Sequence, residues 1–181
     1  MNISVFCGSS QPRNEQIAVA ARELGRQIAL GGHTLLYGGS NLGLMGEVSG
    51  GALEAGGTVI AVIPTFFSEE IINSQKVSQI VRVGSMAERK EYLIAHSDAF
   101  IALPGGIGTL DEVLEVMVSN QLGSLQNSSH KDKPVILYNP DGFWQSFLQQ
   151  IDLMGQHGFF RSGQRPNIQS FNNIKEIIGH L

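Results

Sequence analysis

The chain alternates between short, continuously apolar runs and longer segments in which apolar residues recur at helical spacing. Continuous apolar runs of this kind are typical of strands that are buried on both faces of a parallel sheet. They predict six strands, at residues 3–6, 34–37, 59–63, 80–83, 99–103 and 134–138. The segments between them predict helices over 14–30, from the glycine cluster at 38–46 to residue 55, over 85–95, from 109 onward and over 143–154.

Three segments are less regular. Residues 66–78 fit either a short helix or a loop, 123–133 predict a polar loop, and 167–181 predict a short last strand and a terminal helix. Strands that alternate with helices favour a parallel sheet with helices on both faces. A chain of 181 residues is large enough for one such core. We therefore predict a single α/β domain over residues 1–181, a doubly wound parallel sheet.

Glycine is the unusual feature of the composition. The chain has 22 glycines in 181 residues, against a usual level of roughly 7%. Many of them follow apolar runs directly, in turns at 8–10, 38–46 and 104–109. None of these turns matches the P-loop pattern or gives a convincing dinucleotide-binding pattern. Ligands of doubly wound sheets bind beyond the carboxyl ends of the strands, and the three turns are predicted to lie there.

The stretch 98–117 contains the strongest candidate site. Its apolar run predicts a buried strand, and helical spacing resumes at Thr109. The turn between them is built from Pro104, Gly105, Gly106, Ile107 and Gly108. A strand, a glycine-rich turn and a helix N-terminus bring backbone N–H groups to one point, which favours binding of an anion such as phosphate.

Two carboxylates, Asp111 and Glu112, fall in the first turn of that predicted helix. An acid beside a phosphate-binding turn suggests a phosphorylated substrate that is chemically changed rather than merely held. The same residues also match a capping box, in which Thr109 and Glu112 satisfy each other's backbone N–H groups. The stretch alone leaves both interpretations open.

The predicted helix at 85–95 carries a second set of candidates. Four residues share one of its faces, at i, i+3, i+4 and i+7: Met86, Arg89, Lys90 and Leu93. Its apolar members indicate that the face is buried, and a buried cation needs an anionic partner. Because this helix leads into the strand before the glycine turn, Arg89 beside Glu112 is a plausible catalytic arrangement. The alternative is a solvated charge run over 88–91.

Charge and composition exclude several classes of function. The formal net charge of −4 gives no support to nucleic-acid binding. No apolar run is long enough to cross a membrane, and no basic leader precedes the first strand, so we expect a cytoplasmic protein. The one cysteine, Cys7, excludes an internal disulfide and is predicted to be a small buried residue. The five histidines lack the spacing of metal ligands.

Two motifs make the sequence similar to a known family. Met86-x-x-Arg89-Lys90, followed by Pro104-Gly105-Gly106-x-Gly108-Thr109-x-x-Glu112, resembles the paired signature of the LONELY GUY (LOG) family. These proteins are cytokinin riboside 5′-monophosphate phosphoribohydrolases, formerly labelled lysine decarboxylases. The similarity runs from the CGSS turn to the KPVILYNPDGF segment, about four-fifths of the chain. It implies a Rossmann-like fold, a homodimer, and neither a metal nor an organic cofactor.

The resemblance also implies roles for individual residues. Arg89 and Glu112 occupy the positions of the family's catalytic pair. Glu112 would stabilise an oxocarbenium-like ribose and orient water, and Arg89 would act electrostatically, because arginine is a poor proton donor. The nucleotide's 5′-phosphate would lie on the backbone of 105–109. The residues expected to bind the substrate are Gly8, Ser9, Glu70, Met86, Lys90, Gly105, Gly106, Ile107, Gly108, Thr109, Leu110 and Asp111.

The sequence departs from the family pattern at several positions. Ala87 stands where histidine is common, Ile107 where an aromatic is common, and residues 118–120 where Thr-Trp-Ala is frequent. None is part of the catalytic pair, but these positions bear on the preference for a prenylated adenine. The expected substrate is therefore either a cytokinin nucleotide or AMP.

A runner-up from another class is a non-catalytic nucleotide-binding or sensing module. Such a module would keep the glycine turn for phosphate affinity alone. The presence of both Arg89 and Glu112 argues against it, because an adjacent carboxylate opposes the binding of an anion.

Overall fold

The structure is a computed structural model that describes residues 1–68, 77–126, 132–160 and 166–181, with the side chains of 124–126 left out. The strands of its sheet are β1 (Asn2–Phe6), β2 (Thr34–Tyr37), β3 (Val59–Pro64), β4 (Gln79–Val83), β5 (Ala99–Ala102), β6 (Val135–Tyr138) and β7 (Ile168–Phe171). The α-helices of the described ranges are α1 (Glu15–Leu30), α2 (Gly43–Glu54), α3 (Met86–His96), α4 (Ile107–Gln126), α5 (Gln145–Gln156) and α6 (Ile174–Ile178).

All seven strands belong to one parallel sheet, in the order β4-β3-β2-β1-β5-β6-β7. The chain starts at β1, extends through β2, β3 and β4 towards one edge, and then returns to place β5 on the other side of β1. The strand order therefore reverses between β1 and β5. A reversal of this kind opens a crevice at the carboxyl ends of the two strands, where doubly wound proteins bind their ligands.

The helices form one layer on each face of the sheet. On one face α1, α2 and α6 cover alternate strand residues such as Val5, Leu35 and Ile101. On the other face α3, α4 and α5 cover the residues between them, among them Phe6 and Phe100. Burial on both faces explains why the strands read as continuous apolar runs. The predicted doubly wound α/β architecture is confirmed.

Glycines set the distance between α1 and α2. A β-carbon on Gly25 of α1 would overlap the carbonyl group of Val48 in α2, and one on Gly51 of α2 would overlap the carbonyl of Arg22 in α1. The two helices are thus in backbone contact. At the surface of this contact, Arg22 forms ion pairs with Glu47, at 3.0 Å, and with Glu54 of α2.

Several predicted boundaries were wrong. Helix α4 begins at Ile107, slightly before the start predicted near Thr109, and it continues to Gln126, so that the start of the predicted loop at 123–133 is helical. Strand β3 includes Pro64, which pairs with Val83 of β4. A proline can be the last residue of a strand because it lacks a backbone N–H donor but keeps its carbonyl oxygen as an acceptor. The ambiguous segment 66–78 lies mostly outside the described residues, as does 127–131. None of the helices in the described ranges is long and apolar enough to span a membrane.

Candidate active site

The three glycine turns meet at the crevice between β1 and β5. A β-carbon on Gly8 would lie 3.6 Å from the Cα of Gly105, and one on Gly105 would lie 3.0 Å from the backbone nitrogen of Gly8. The backbone N–H of Leu44 donates to the carbonyl oxygen of Gly8 over 3.1 Å. Gly43 has a φ of +55° and its Cα lies against the backbone of Ser9. The predicted convergence of the turns at one sheet edge is confirmed.

A cavity of about 860 Å³ opens at this edge, which is within the usual range for small-molecule sites. Its lining combines two kinds of residue. The apolar part, Leu42, Leu44, Met45, Ile63 and Phe67, comes from β3 and from the segments that follow β2 and β3. The polar part comes from the glycine turn after β5 and from the first turns of α4.

Arg89 and Glu112 form an ion pair in the wall of the cavity. Nη1 of Arg89 lies 2.9 Å from Oε1 of Glu112, and the two side chains are only 7% and 6% exposed. The approach does not have the direction of a hydrogen bond, and Oε1 has no hydrogen-bond partner among the described residues. The anionic partner predicted for a buried Arg89 is therefore Glu112. Oε1 can therefore accept a directed hydrogen bond from a ligand or water.

Burial raises the pKa of Glu112 above its ordinary value. The positive charges of Arg89 and Lys90 act in the opposite direction, and the negative charge of Asp111 adds to the increase. Glu112 is thus a carboxyl group whose proton affinity depends on a few identified neighbours. A raised pKa is the usual property of a carboxyl group that takes part in acid–base chemistry.

Cys7 lies at the end of β1 in the same wall and is buried. Burial, reinforced by the negative charge of Glu112, raises the pKa of its thiol far above the usual range. The thiol is protonated at neutral pH and is a poor nucleophile. The prediction that Cys7 is a small buried residue is confirmed.

The N-terminus of α4 forms an open cradle. Gly106 and Gly108 are exposed, and a β-carbon on either would have no neighbour within 4 Å among the described residues. Below them, Thr109 is buried, and its Cβ would lie 2.7 Å from a β-carbon on Gly105. The glycines therefore leave the first backbone N–H groups of the helix accessible to an anion.

The capping-box interpretation was wrong. Because α4 begins at Ile107, Thr109 is inside the helix and does not occupy the N-cap position. Asp111 and Glu112 had been predicted in the first turn of the helix, but they consequently lie in its second turn. Glu112 faces Arg89 instead of the helix N-terminus.

Lys90 contacts α4 and not the cavity. Its Nζ lies 2.9 Å from Oδ2 of Asp111 and 3.0 Å from Oε2 of Glu115. Arg89 and Lys90, which are adjacent in α3, thus make ion pairs with Glu112 and Asp111, which are adjacent in α4. The predicted burial of the whole face is wrong at Met86, which is 42% exposed and lies at the cavity mouth.

The structure brings most of the predicted site residues together. Arg89 and Glu112 line the cavity with Gly8, Ser9, Met86, Gly105, Gly106, Gly108, Thr109 and Asp111. Three others, Lys90, Ile107 and Leu110, lie outside its lining, and Glu70 falls outside the described residues.

Sequence reasoning included Gly38 only as part of the glycine turn at 38–46, and it did not identify Arg13 and Phe67, which also line the cavity. Each follows a predicted strand at the ligand edge, and that position was the signal that could have identified them. A metal site is not formed by the described residues, because they contain no group of three or more His, Cys, Asp or Glu that could hold an ion.

The fold and the cavity define a Rossmann-like protein whose site combines a helix N-terminus with a buried carboxylate. Residues 45–181 match a protein family described as "Possible lysine decarboxylase". The cytokinin riboside 5′-monophosphate phosphoribohydrolase LOG5 of Arabidopsis thaliana is 41% identical over 179 residues, which cover 99% of this chain and 76% of that protein. The enzyme LOG of Oryza sativa subsp. japonica is 42% identical over 176 residues, 97% of this chain and 70% of that protein. The chain belongs to the LOG family.

Solved structures share the fold over nearly the whole chain. The molybdenum cofactor carrier protein of Chlamydomonas reinhardtii is 27% identical with a TM-score of 0.71, over 99% of this chain and 94% of that one. The molybdenum cofactor binding protein of Rippkaea orientalis is 27% identical with a TM-score of 0.70, over 99% and 93%.

Proposed function

We propose that this protein hydrolyses the N-glycosidic bond of a purine riboside 5′-monophosphate, releasing the free base and ribose 5-phosphate. One water molecule is consumed: its oxygen bonds to C1′ of ribose, and the base leaves with a proton. The curated relatives that are 41–42% identical carry the name of this activity.

The observation that carries the proposal is the buried pair of Arg89 and Glu112 in the cavity wall. Cleavage of an N-glycosidic bond builds positive charge on the ribose ring, and a nearby carboxylate stabilises that charge while it orients or deprotonates water. We assign this role to Glu112. Arg89 holds the carboxylate in place and keeps its pKa from rising further.

The phosphate is assigned to the open N-terminus of α4. The accessible backbone of Gly106 and Gly108, with Gly8 and Ser9 of the neighbouring turn, supports binding of a phosphomonoester there. Glu112 follows Gly108 of the cradle by about one turn of α4. A bound 5′-phosphate would therefore bring the ribose close to the carboxylate.

The apolar part of the cavity lining is the proposed place of the base. Met45 and Phe67 offer a surface that an adenine ring can cover. Both AMP and a cytokinin nucleotide with an apolar N6 substituent are candidates. Lys90, Ile107 and Leu110 would then influence the site through α4 rather than by contact with the base.

The proposal is tested by measuring base release from AMP and from isopentenyladenosine monophosphate with purified protein and no added metal. Release of base from either nucleotide, with the corresponding riboside left intact, is the expected result. The ratio of the two rates identifies the preferred base. Binding of both nucleotides without any release of base would contradict the proposal and favour the non-catalytic binding module.

We also propose that two copies of the chain associate through α4. Its outward face carries an apolar stripe of Ile107, Leu114, Val118 and Leu122, which are 87%, 39%, 51% and 52% exposed. They recur at helical spacing, so they form one continuous stripe rather than scattered positions. A second copy of the same stripe is an occupant of matching chemistry, and a two-fold interface is self-complementary.

The assembly is tested by light scattering coupled to gel filtration. The wild-type protein should have twice the mass of the chain, and Val118→Lys should shift it towards the monomer. Val19→Lys is the matched control, because Val19 is an exposed apolar residue of α1. A monomeric wild type, or a dimer that survives Val118→Lys, would exclude this interface.

For location and domain organisation we keep the expectations from the sequence. A cytoplasmic location is consistent with one buried cysteine that has no disulfide partner, and fractionation of cells that express the protein tests it. A single domain over 1–181 is supported by one sheet that contains all seven strands.

A further inference from the structure

The charged residues that line the cavity differ in whether a residue of opposite charge neutralises them. Arg89 is neutralised by Glu112, and Asp111 is neutralised by Lys90 from outside the lining. Arg13 also lines the cavity and is exposed. Within the described ranges of the chain, Arg13 forms no ion pair or hydrogen bond. It is therefore the cavity's unneutralised charge, as far as the described residues show.

The backbone on both sides of Arg13 is constrained. Pro12 precedes it, and a proline fixes its own φ. Asn14 follows as the N-cap of α1, and its Oδ1 accepts a hydrogen bond from the backbone N–H of Gln16 over 3.0 Å. Asn14 and Ile17 also line the cavity, so the first turn of α1 faces it. Pro12 and Asn14 thus fix the backbone at Arg13, so that its long cationic side chain starts at the cavity rim.

We propose that Arg13 supplies the positive charge that binds the phosphate of the substrate. This inference rests on the proposed function, because it concerns the same phosphomonoester. A phosphate dianion on the α4 cradle meets backbone dipoles, but it also lies near the negative charges of Asp111 and Glu112. Both of these are compensated by cations that they already hold, so a further cation is needed to balance the ligand.

The position of Arg13 is compatible with this role. Its loop leaves β1 through Gly8, which contacts Gly105 of the cradle. An exposed arginine can reach a ligand by rotation of its side chain alone, and its planar guanidinium can donate two parallel hydrogen bonds to one phosphate. An exposed side chain also costs little to leave unpaired in water, which explains why it needs no partner before the ligand binds.

The test measures the affinity for ribose 5-phosphate by titration calorimetry. Arg13→Gln should weaken it about ten-fold or more, which is the size expected for a hydrogen-bonded charge pair. Arg13→Lys should retain most of the affinity, because the charge is kept. Arg26→Gln is the matched control, because it removes an exposed cation of α1 that pairs with Glu23 outside the cavity.

The affinity for adenosine, which lacks the phosphate, should be equal in the wild type and in Arg13→Gln. If Arg13→Gln binds ribose 5-phosphate as tightly as the wild-type protein does, the inference is overturned. An equal loss of affinity for adenosine would also overturn it, because Arg13 would then act on the shape of the site. Binding is measured without turnover, so a protein that binds ribose 5-phosphate through Arg13 but releases no base would contradict the proposed function and leave this inference standing.

Discussion

Gly38 at the end of β2 and Arg89 on α3 are so close that a β-carbon on Gly38 would overlap Nη2 of the arginine. The same guanidinium contacts Glu112 through Nη1. The missing side chain of Gly38 therefore determines where the charge of Arg89 lies relative to the carboxylate.

Gly38→Ala should lower kcat by about 100-fold, because the guanidinium must move by about an ångström, and displacements of this size have such effects on positioned groups. The affinity for ribose 5-phosphate should be retained, because the phosphate cradle is on α4. Gly155→Ala is the control, since its nearest neighbour, Phe160, lies at an ordinary 3.4 Å. Steady-state kinetics with an unchanged kcat for Gly38→Ala would show that the position of Arg89 is not critical.

Glu112→Gln should retain nucleotide affinity and lower turnover by at least about 100-fold, which is what a positioned acid–base group contributes. The amide has nearly the shape of the carboxylate but neither its charge nor its basicity. Glu115→Gln removes a carboxylate from the next turn of the same helix, outside the cavity, and should have normal turnover. Full activity of Glu112→Gln would show that Glu112 takes no part in the reaction.

The pH dependence of kcat/KM should report Glu112. Its pKa is raised by burial, so if the ionised form is active, activity falls as the pH decreases through a value above that of an ordinary glutamate. Lys90→Met removes a positive charge that lowers this pKa and leaves Asp111, which raises it, uncompensated. The acid limb of the profile should therefore move to higher pH. Arg89, the other charged group that affects the pKa of Glu112, is unchanged in this variant.

Glu115→Gln again serves as the control for the pH profile, because it removes the other carboxylate that Lys90 holds. The acid limb should stay in place. An acid limb that is insensitive to Lys90→Met would mean that another group controls the profile.

Gly25→Ala should destabilise the protein by about 1–3 kcal/mol, the usual effect of overpacking. Alanine is favoured over glycine within a helix by about 1 kcal/mol, but a β-carbon at this position would overlap the backbone carbonyl of Val48, which cannot move without the helix. Gly50→Ala provides the opposite case, because its nearest neighbour is the flexible end of Arg22, at 3.1 Å. It should be neutral or stabilising.

Urea unfolding followed by both circular dichroism and tryptophan fluorescence measures this effect and the domain organisation together. The one tryptophan, Trp144, is buried on the opposite face of the sheet from Gly25. If residues 1–181 form one cooperative domain, Gly25→Ala shifts both signals to the same lower midpoint. Separate midpoints would indicate two units.

The predictions from sequence were correct where a local pattern has one physical explanation. Continuous apolar runs imply burial on both faces, and all the predicted strands are present. Glycine turns after the strands imply a ligand edge, and the turns meet there. Boundaries were less certain because helix α4 begins within the glycine turn, where glycine and a β-branched residue give a weak signal. For the same reason Thr109 looked like a cap.

What the sequence by itself determined is the fold class, the ligand edge and the two residues of the buried ion pair, because periodicity and motif spacing are local properties. Only the tertiary structure decided which partners they have. Lys90 is one residue from Arg89, yet it lies outside the cavity lining and pairs with Asp111 and Glu115. Arg13 and Gly38 are distant from the motifs, and they reach the site because β1 lies between β2 and β5 in the sheet, so that the carboxyl ends of the three strands are adjacent. Contacts of this kind depend on the strand order, which brings together residues that no sequence spacing connects.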